Sequence, residues 1–293
     1  MKNGYVATIG FFDGVHLGHQ HLLKQVTEIA CAHHLKAMVV TFSQQPRHVV
    51  SHGTDSFFQL TTTSEKLRLL KMAGVDQCEV MEFTAELASL SAYQFMELLY
   101  TQYQVTALVI GYDHRFGHNR SEGFDDYVRY GKQLGIEVVQ ATKFPAVSST
   151  KIRELLLCGD LQVANKCLGY YYMLSGKVIS GFHVGHTMGF PTANLQADAE
   201  KLIPANGVYA VLVELEGKPY KGMLNIGTRP TLANSDERSI EVHIFDFHET
   251  IYNKELRLSL VKRTRGEVKF ASIEQLKLQL QQDAAEIKTI LGT

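Results

Sequence analysis

The sequence predicts two domains: a doubly wound α/β domain with a parallel sheet, then a small antiparallel β-barrel closed by one helix. Three observations carry that prediction. Through the first half, short apolar runs alternate with helix-like stretches, the rhythm of a parallel sheet covered on both faces. After Gly169 the connections between apolar runs look like turns, the rhythm of antiparallel strands that close into a barrel. At 293 residues the chain exceeds one average domain and has material for two.

Residues 5–9 read as the first strand, 18–34 as a helix and 37–42 as a second strand. Thr62-x-x-Glu65 has the form of a capping box, opening a helix through Leu70 with Gly74 beyond its end. A strand at 78–81 precedes a second capping box, Ser91-x-x-Gln94, and its helix. Strands at 107–111 and 137–140 flank a helix over 125–134. In the second half, residues 171–180, 207–216, 220–226, 240–247 and 255–261 read as strands, with Glu216-Gly-Lys-Pro219 as a hairpin turn. The terminal helix carries an apolar stripe of Ile273, Leu276, Leu280, Ala284, Ile287 and Leu291, which reads as a core-facing surface. The boundary is expected within 165–172, giving domains of 1–169 and 170–293.

Composition narrows the function classes. A net charge of −1 leaves no basic excess of the kind that marks nucleic-acid or anionic-lipid partners. Cys31, Cys78, Cys158 and Cys167 are scattered without a CxxC pair, which argues against a disulfide framework or a zinc cluster and for reduced thiols. The N-terminal stretch is broken by glycine and Asp13 too early for a signal peptide, and no apolar run approaches a membrane span. The chain is therefore expected to be soluble and cytoplasmic, with small molecules as partners and neither nucleic acid nor membrane. The oligomeric state stays open.

Residues 10–19 read GFFDGVHLGH, a glycine-bracketed turn between the first predicted strand and its helix. Free N–H groups at a helix start favour phosphate, and Gly10, Gly14 and Gly18 allow backbone to approach a ligand. His16 and His19, three apart, share one helical face and could address one phosphate. Nucleotidyl transfer needs alignment and charge stabilisation and no protein nucleophile, which imidazoles and amides can supply. The plainer alternative is two surface histidines on a polar helix start. GYDHRFG at 111–117 is a second polar, glycine-flanked turn at a strand end. VSSTKIRELL at 147–156 is a second helix start, where Ser149 or Thr150 could cap or bind phosphate and Arg153 could clamp it. Each alone would be a cap or a surface turn.

The pattern HxGH recurs at 183–186, but no amphipathic helix follows it, and it reads as a loop. Residues 189–194 read GFPTAN, where Pro191 fixes the backbone and the Thr192 hydroxyl and Asn194 amide can reach Mg²⁺ or a phosphate. On chemistry alone PTAN could equally be a turn, and Glu241 a polar residue on the outer face of a strand.

Taken together, the first-half segments resemble the nucleotidylyltransferase superfamily, and GFFDGVHLGH is close to its flavin adenylyltransferase branch. GFPTANL at 189–195, NGVYAV at 206–211, NIGTRPT at 225–231 and EVHIFDF at 241–247 occur in that order in riboflavin kinases. Over nearly its full length the chain resembles the bacterial bifunctional riboflavin kinase and FMN adenylyltransferases, also called FAD synthetases. The resemblance implies a nucleotidylyltransferase-like (Rossmann-like, HxGH) domain and a riboflavin kinase barrel. It implies phosphorylation of riboflavin by ATP to FMN and ADP in the barrel, then adenylylation of FMN by a second ATP to FAD and pyrophosphate, both with Mg²⁺. In the first half it implies catalytic roles for His16, His19 and Arg153, and ATP contacts from Gly10, Phe11, Asp13, Gly14, Gly18, Asp113, Ser148, Ser149 and Thr150. In the second it implies ATP contacts from Gly189, Pro191, Thr192 and Asn194, Mg²⁺ held by Thr192 and Asn194, and Glu241 as general base.

The chain departs from the family pattern at Gln45, where a histidine is expected, at His114, where an aromatic is usual, and at His186, where arginine is common. Phe57, Phe58 and the region around Pro46 are plausible neighbours of a flavin ring. Two further readings stay open: a kinase with a degenerate first half, and a flavin-binding protein without catalysis.

Overall fold

A computed structural model describes residues 4–44, 58–118, 121–145, 147–181, 189–229 and 237–292. Gln45, Pro46, Phe57, His186 and the second HxGH lie outside the described residues. The chain divides into two compact units, Met1–Phe57 with Thr63–Ser148, and Phe58–Thr62 with Ser149–Thr293.

The first unit is a five-stranded parallel sheet in the order β3-β2-β1-β4-β5. Its strands are β1 (Tyr5–Ile9), β2 (Lys36–Phe42), β3 (Gln77–Met81), β4 (Val105–Ile110) and β5 (Glu137–Gln140). Among the described residues its helices are α1 (Leu17–Ala32), α2 (Thr63–Met72), α3 (Ala85–Ser89), α4 (Ala92–Tyr103) and α5 (Phe124–Leu134). Alternate residues of the central strands feed two cores, as a sheet covered on both faces requires. Val6, Ala37 and Val109 pack with Val26 and Ala30 of α1. Ala7, Met38 and Leu108 pack with Phe95, Met96 and Leu99 of α4 and Tyr127 of α5. The α4 capping box is present as read: Ser91 Oγ accepts from Gln94 N, and Gln94 Oε1 accepts from Ser91 N. Because β2 and β4 flank β1 on opposite sides, the chain reverses winding direction at the carboxyl ends of β1 and β4. Such a switch point opens a ligand crevice.

The second unit is a closed barrel in the order β10-β7-β6-β11-β8-β9. Its strands are β6 (Tyr172–Ile179), β7 (Ala193–Ala197), β8 (Gly207–Leu215), β9 (Lys218–Arg229), β10 (Glu237–Ile244) and β11 (Glu255–Arg265). Glu216 and Gly217 join β8 to β9 with φ of 52° and 77°, the left-handed pair that a two-residue hairpin demands. PTAN, which on sequence alone could be a turn, instead runs into a strand. β7 begins at Ala193 and pairs with both β6 and β10, so Asn194 sits in the barrel wall. A strand of five residues directly after Gly189 and Pro191 leaves too little alternation to read locally.

Among the described residues this unit also contains α6 (Ser149–Cys158), α7 (Leu161–Leu168) and α8 (Ile273–Leu291). Helix α7, absent from the sequence reading, buries Leu161, Ala164 and Leu168, and its Asn165 donates to the Leu260 carbonyl of β11. Ile287 of α8 packs on the outer barrel wall with Val208, Ala210, Met223 and Phe245. Ile273, the first residue of the expected apolar stripe, is 69% exposed and is not part of that packing. The short segment 58–62 joins the unit through Gln59, which bridges to Lys201, and through Leu60, which is fully buried.

Candidate functional site

In the first unit the turn after β1 is shaped by backbone that most residues avoid. Phe12, Gly14 and Val15 have φ of 55°, 78° and 35°. For a β-branched residue such as Val15 this is an unusual conformation, and strained backbone concentrates at functional sites. His16 ends the turn as the N-cap of α1, and its Nδ1 accepts from His19 N at 3.4 Å. An accepting Nδ1 leaves the ring proton on Nε2 as an available donor. The two imidazoles stack with centroids 3.7 Å apart, and Phe12 packs its ring against His19 at 5.2 Å. Gly18 lets the His16 ring lie close against the backbone: a Cβ there would stand 3.2 Å from it.

Burial sets the charge of this pair. His16 is held at a pKa of about 4 by loss of solvent, against the opposing effect of its backbone hydrogen bond. Burial also pushes His19 well below the ordinary imidazole value, and the neighbouring His16 adds to the effect. Both rings are neutral at pH 7. The Nδ1 of His19 is buried without a hydrogen-bond partner among the described residues. Of the other residues expected around this turn, Asp13 is buried, while Gly10 and Phe11 are half-buried.

Lys66 of α2 is not singled out by the sequence. Its side chain is almost fully buried, with the ammonium donating to the carbonyls of Phe11 at 3.2 Å and Phe42 at 2.8 Å. No local pattern marks it, because a lysine in a helix is ordinarily a solvated residue.

At the end of β4 the GYDHRFG turn lines a cleft of about 420 Å³, bounded by Asp113, His114, Phe124 and Gln140 among others. Asp113 is exposed. Gly117, with φ of 96°, lies where a Cβ would meet Ala92 N at 2.8 Å, so the turn is pinned against the start of α4. Val147 passes near the HxGH turn, its carbonyl 3.8 Å from where a Cβ on Gly18 would stand. The division between units falls between Ser148 and Ser149, so Ser149, Thr150 and Arg153 belong to the second unit with α6. There Arg153 Nε donates to the Phe58 carbonyl at 3.0 Å.

In the second unit the expected kinase residues converge on the barrel wall. Asn194 of β7 lies directly opposite Glu241 of β10 in the antiparallel register. Thr192 Oγ1 is 3.5 Å from Glu241 Oε2, and Asn194 is buried. Gly181 makes room for the Asn194 amide: a Cβ there would overlap it. Gly189 has φ of 80°, a left-handed position where glycine carries no steric cost. His243, two residues beyond Glu241, places Nδ1 2.8 Å from the Pro191 carbonyl and is boxed edge-on by Phe190 and Phe245. Burial lowers its pKa despite that hydrogen bond. The Thr192 hydroxyl just before β7, with the Asn194 amide and Glu241 carboxylate on paired strands, forms a donor set suited to a small, hard dication.

Comparison with known proteins agrees with both halves. A family model described as FAD synthetase matches residues 1–154, and one described as riboflavin kinase matches residues 168–291. A bifunctional riboflavin kinase/FMN adenylyltransferase of Listeria monocytogenes is 36% identical over 98% of this chain and 92% of its own. The Escherichia coli protein of the same description is 36% identical over 99% of this chain and 94% of its own. A solved Streptococcus pneumoniae structure described as a macrolide-efflux protein matches with a TM-score of 0.89 and 31% identity, over 98% of this chain and 95% of that one. Among the described residues of this chain, no helix is long and apolar enough to cross a membrane. Two family models in the expected order and near-complete alignment at this identity place the chain in the bifunctional riboflavin kinase/FMN adenylyltransferase family.

Proposed function

We propose that the two reactions of the family are divided between the two halves of this chain, with riboflavin kinase chemistry on the barrel and FMN adenylyltransferase chemistry at the HxGH turn. The substrates and products are then riboflavin, ATP, FMN and FAD, with ADP and pyrophosphate released. The observation that supports this most directly is the placement of two chemically different constellations: stacked neutral imidazoles at the switch point of the first unit, and Thr192, Asn194 and Glu241 at the paired strands β7 and β10 of the second.

In adenylyl transfer a phosphate oxygen of FMN attacks the α-phosphorus of ATP, the bond to the bridging oxygen breaks, and pyrophosphate leaves. Neutral His16 donates from Nε2 to phosphate oxygen, while the N–H groups at the start of α1 add fixed positive dipole ends. Neutral donors suit this step, because they stabilise developing charge without exchanging a proton. Ser148, which follows Val147 in the first unit, carries an expected phosphate contact of the same reaction.

In the kinase reaction the Glu241 carboxylate accepts the proton of the ribityl hydroxyl as its oxygen attacks the γ-phosphorus of ATP. Thr192, donating toward Glu241 Oε2, orients that carboxylate. Thr192 and Asn194 fit Mg²⁺ by donor type, and such an ion would supply neutralisation of the phosphates. His243 bonds the Pro191 carbonyl and so holds the segment that carries Thr192.

A product analysis tests the assignment. With riboflavin, ATP and Mg²⁺ the parent chain should produce FMN that gives way to FAD. His16→Ala should lose FAD formation by on the order of 100-fold or more while FMN accumulates, the usual scale for deleting one preorganised donor. Glu241→Ala should lose FMN formation yet still convert supplied FMN to FAD. Loss of both reactions in either folded variant would defeat the division.

A further inference from the structure

The HxGH histidines are oriented by a chain of contacts that begins outside the motif. His19 is packed by the Phe12 ring, and Phe12 holds a left-handed φ of 55°. A residue kept there is strained and persists only where its surroundings over-determine it. Gly10 permits the Phe12 ring to fold back, since a Cβ would stand 3.0 Å from it. The orientation of the peptide between Phe11 and Phe12 is then decisive, and two side chains hold its oxygen. Thr41 Oγ1 of β2 donates to the Phe11 carbonyl at 3.1 Å, and Lys66 Nζ donates to it at 3.2 Å. Lys66 also ties that carbonyl to the end of β2 through Phe42 O, and its ammonium lies 4.2 Å from the centre of the Phe11 ring.

We propose that Lys66 is a positioning residue for adenylyl transfer, holding the stacked His16–His19 pair in register through the Phe11–Phe12 peptide. The proposal rests on the assignment of adenylyl transfer to the first unit. A buried lysine is an expensive way to hold a carbonyl, because removing an ammonium from water disfavours its charged form. Burial lowers the pKa of this one to about 8, with Asp13 and then Cys78 acting in the opposite direction. An apolar residue of the same length would fill the space without that cost. What it could not supply is a donor joining Phe11 O to Phe42 O, the link between the catalytic turn and the neighbouring strand.

The experiment uses the full chain with Lys66→Met, Thr41→Val and the double variant. The resonances of the histidine rings are recorded without ligand, and FAD and FMN formation are measured separately. Lys66→Met should shift the His16 and His19 ring resonances and lower kcat for FAD formation by about 10- to 100-fold, the scale of misalignment in an oriented site. KM for ATP and riboflavin phosphorylation should stay at the parent values. Thr41→Val should move the same resonances with a smaller loss, and the double variant should lose less than the product of the single losses, because both act on one oxygen.

Unchanged FAD formation in Lys66→Met overturns the proposal, with or without a shift of the rings. If Lys66→Met loses both activities together, Thr41→Val decides: parent resonances and parent FAD formation there overturn it, and a joint change supports it. Full FAD formation by His16→Ala would instead defeat the adenylyl-transfer assignment, a result distinguishable because the ring resonances of Lys66→Met do not depend on turnover.

Discussion

His16 shows how far one residue's environment can move its chemistry. In the folded chain its imidazole protonates only near pH 4, whereas a solvated histidine does so near 6.5. The unfolded chain therefore takes up the proton first as pH falls. The stability that His16 contributes is complete above pH 6.5 and is lost progressively between 6.5 and about 4. The interval corresponds to about 3 kcal/mol. Proton NMR of the ligand-free protein should place the His16 midpoint near 4, and His16→Ala should flatten the decline in stability over that range. A midpoint above 7 would remove the neutral-donor reading. The sequence carries the identity of this pair and its place at a helix start, because a glycine-bracketed turn after an apolar run is local information. It does not carry the stacking or the loss of charge, which depend on Phe12 folding back over His19. Lys66 is invisible for the same reason: its burial is decided by Phe42 and Phe11, far away along the chain.

Among the elements, those with a clear period are legible and those held by tertiary contacts are not. The sheet of the first unit and the hairpin at Glu216–Gly217 follow from alternation and turn chemistry. Strand β7 does not, since its ladder partners on β6 and β10 supply what its short sequence lacks. Helix α8 is the mixed case. Its apolar stripe is legible, except that Ile273 is exposed, but nothing local announces that Asp283 on the same helix is buried. Asp283 accepts from Arg265 Nε at 3.0 Å and Nη2 at 2.7 Å, and from Gln279 at 2.9 Å, fastening α8 to β11. Breaking a buried pair from one side strands the other charge. Arg265 keeps 22% side-chain exposure, which softens the penalty, so Asp283→Ala should destabilise the second unit by about 2–3 kcal/mol. Urea denaturation followed by riboflavin phosphorylation would measure it, and a shift below about 0.5 kcal/mol, the range of ordinary surface substitutions, would mean the pair anchors nothing.

On the scale of the molecule, the change of rhythm after Gly169 marks where barrel strands begin, but the compact unit that contains them begins earlier and is discontinuous. Leu161, Ala164 and Leu168 of α7 are buried in that unit, and Asn165 links the Leu260 carbonyl to the Tyr172 amide at the start of the barrel. Segment 58–62 adds Leu60, whose carbonyl accepts from the buried Lys201 ammonium at 2.5 Å, while Gln59 bonds Glu200 through both backbone and side chain. No local pattern announces such a segment, because its partners are some 140 residues away in the chain. A fragment starting at residue 170 therefore leaves apolar surface on β6 and β11 uncovered and removes the Leu60 carbonyl from Lys201. A fragment starting at residue 149 restores α6 and α7 but still lacks 58–62. Each fully buried leucine is worth about 2 kcal/mol. Thermal unfolding should accordingly rank the full chain above 149–293, and 149–293 above 170–293 by roughly 10 °C or more. Lys201→Ala in the full chain should reproduce part of the first gap without touching the strands themselves. If 170–293 melts with 149–293 and phosphorylates riboflavin equally well, the helices before the barrel are passengers, and the family boundary at residue 168 would also be the folding boundary.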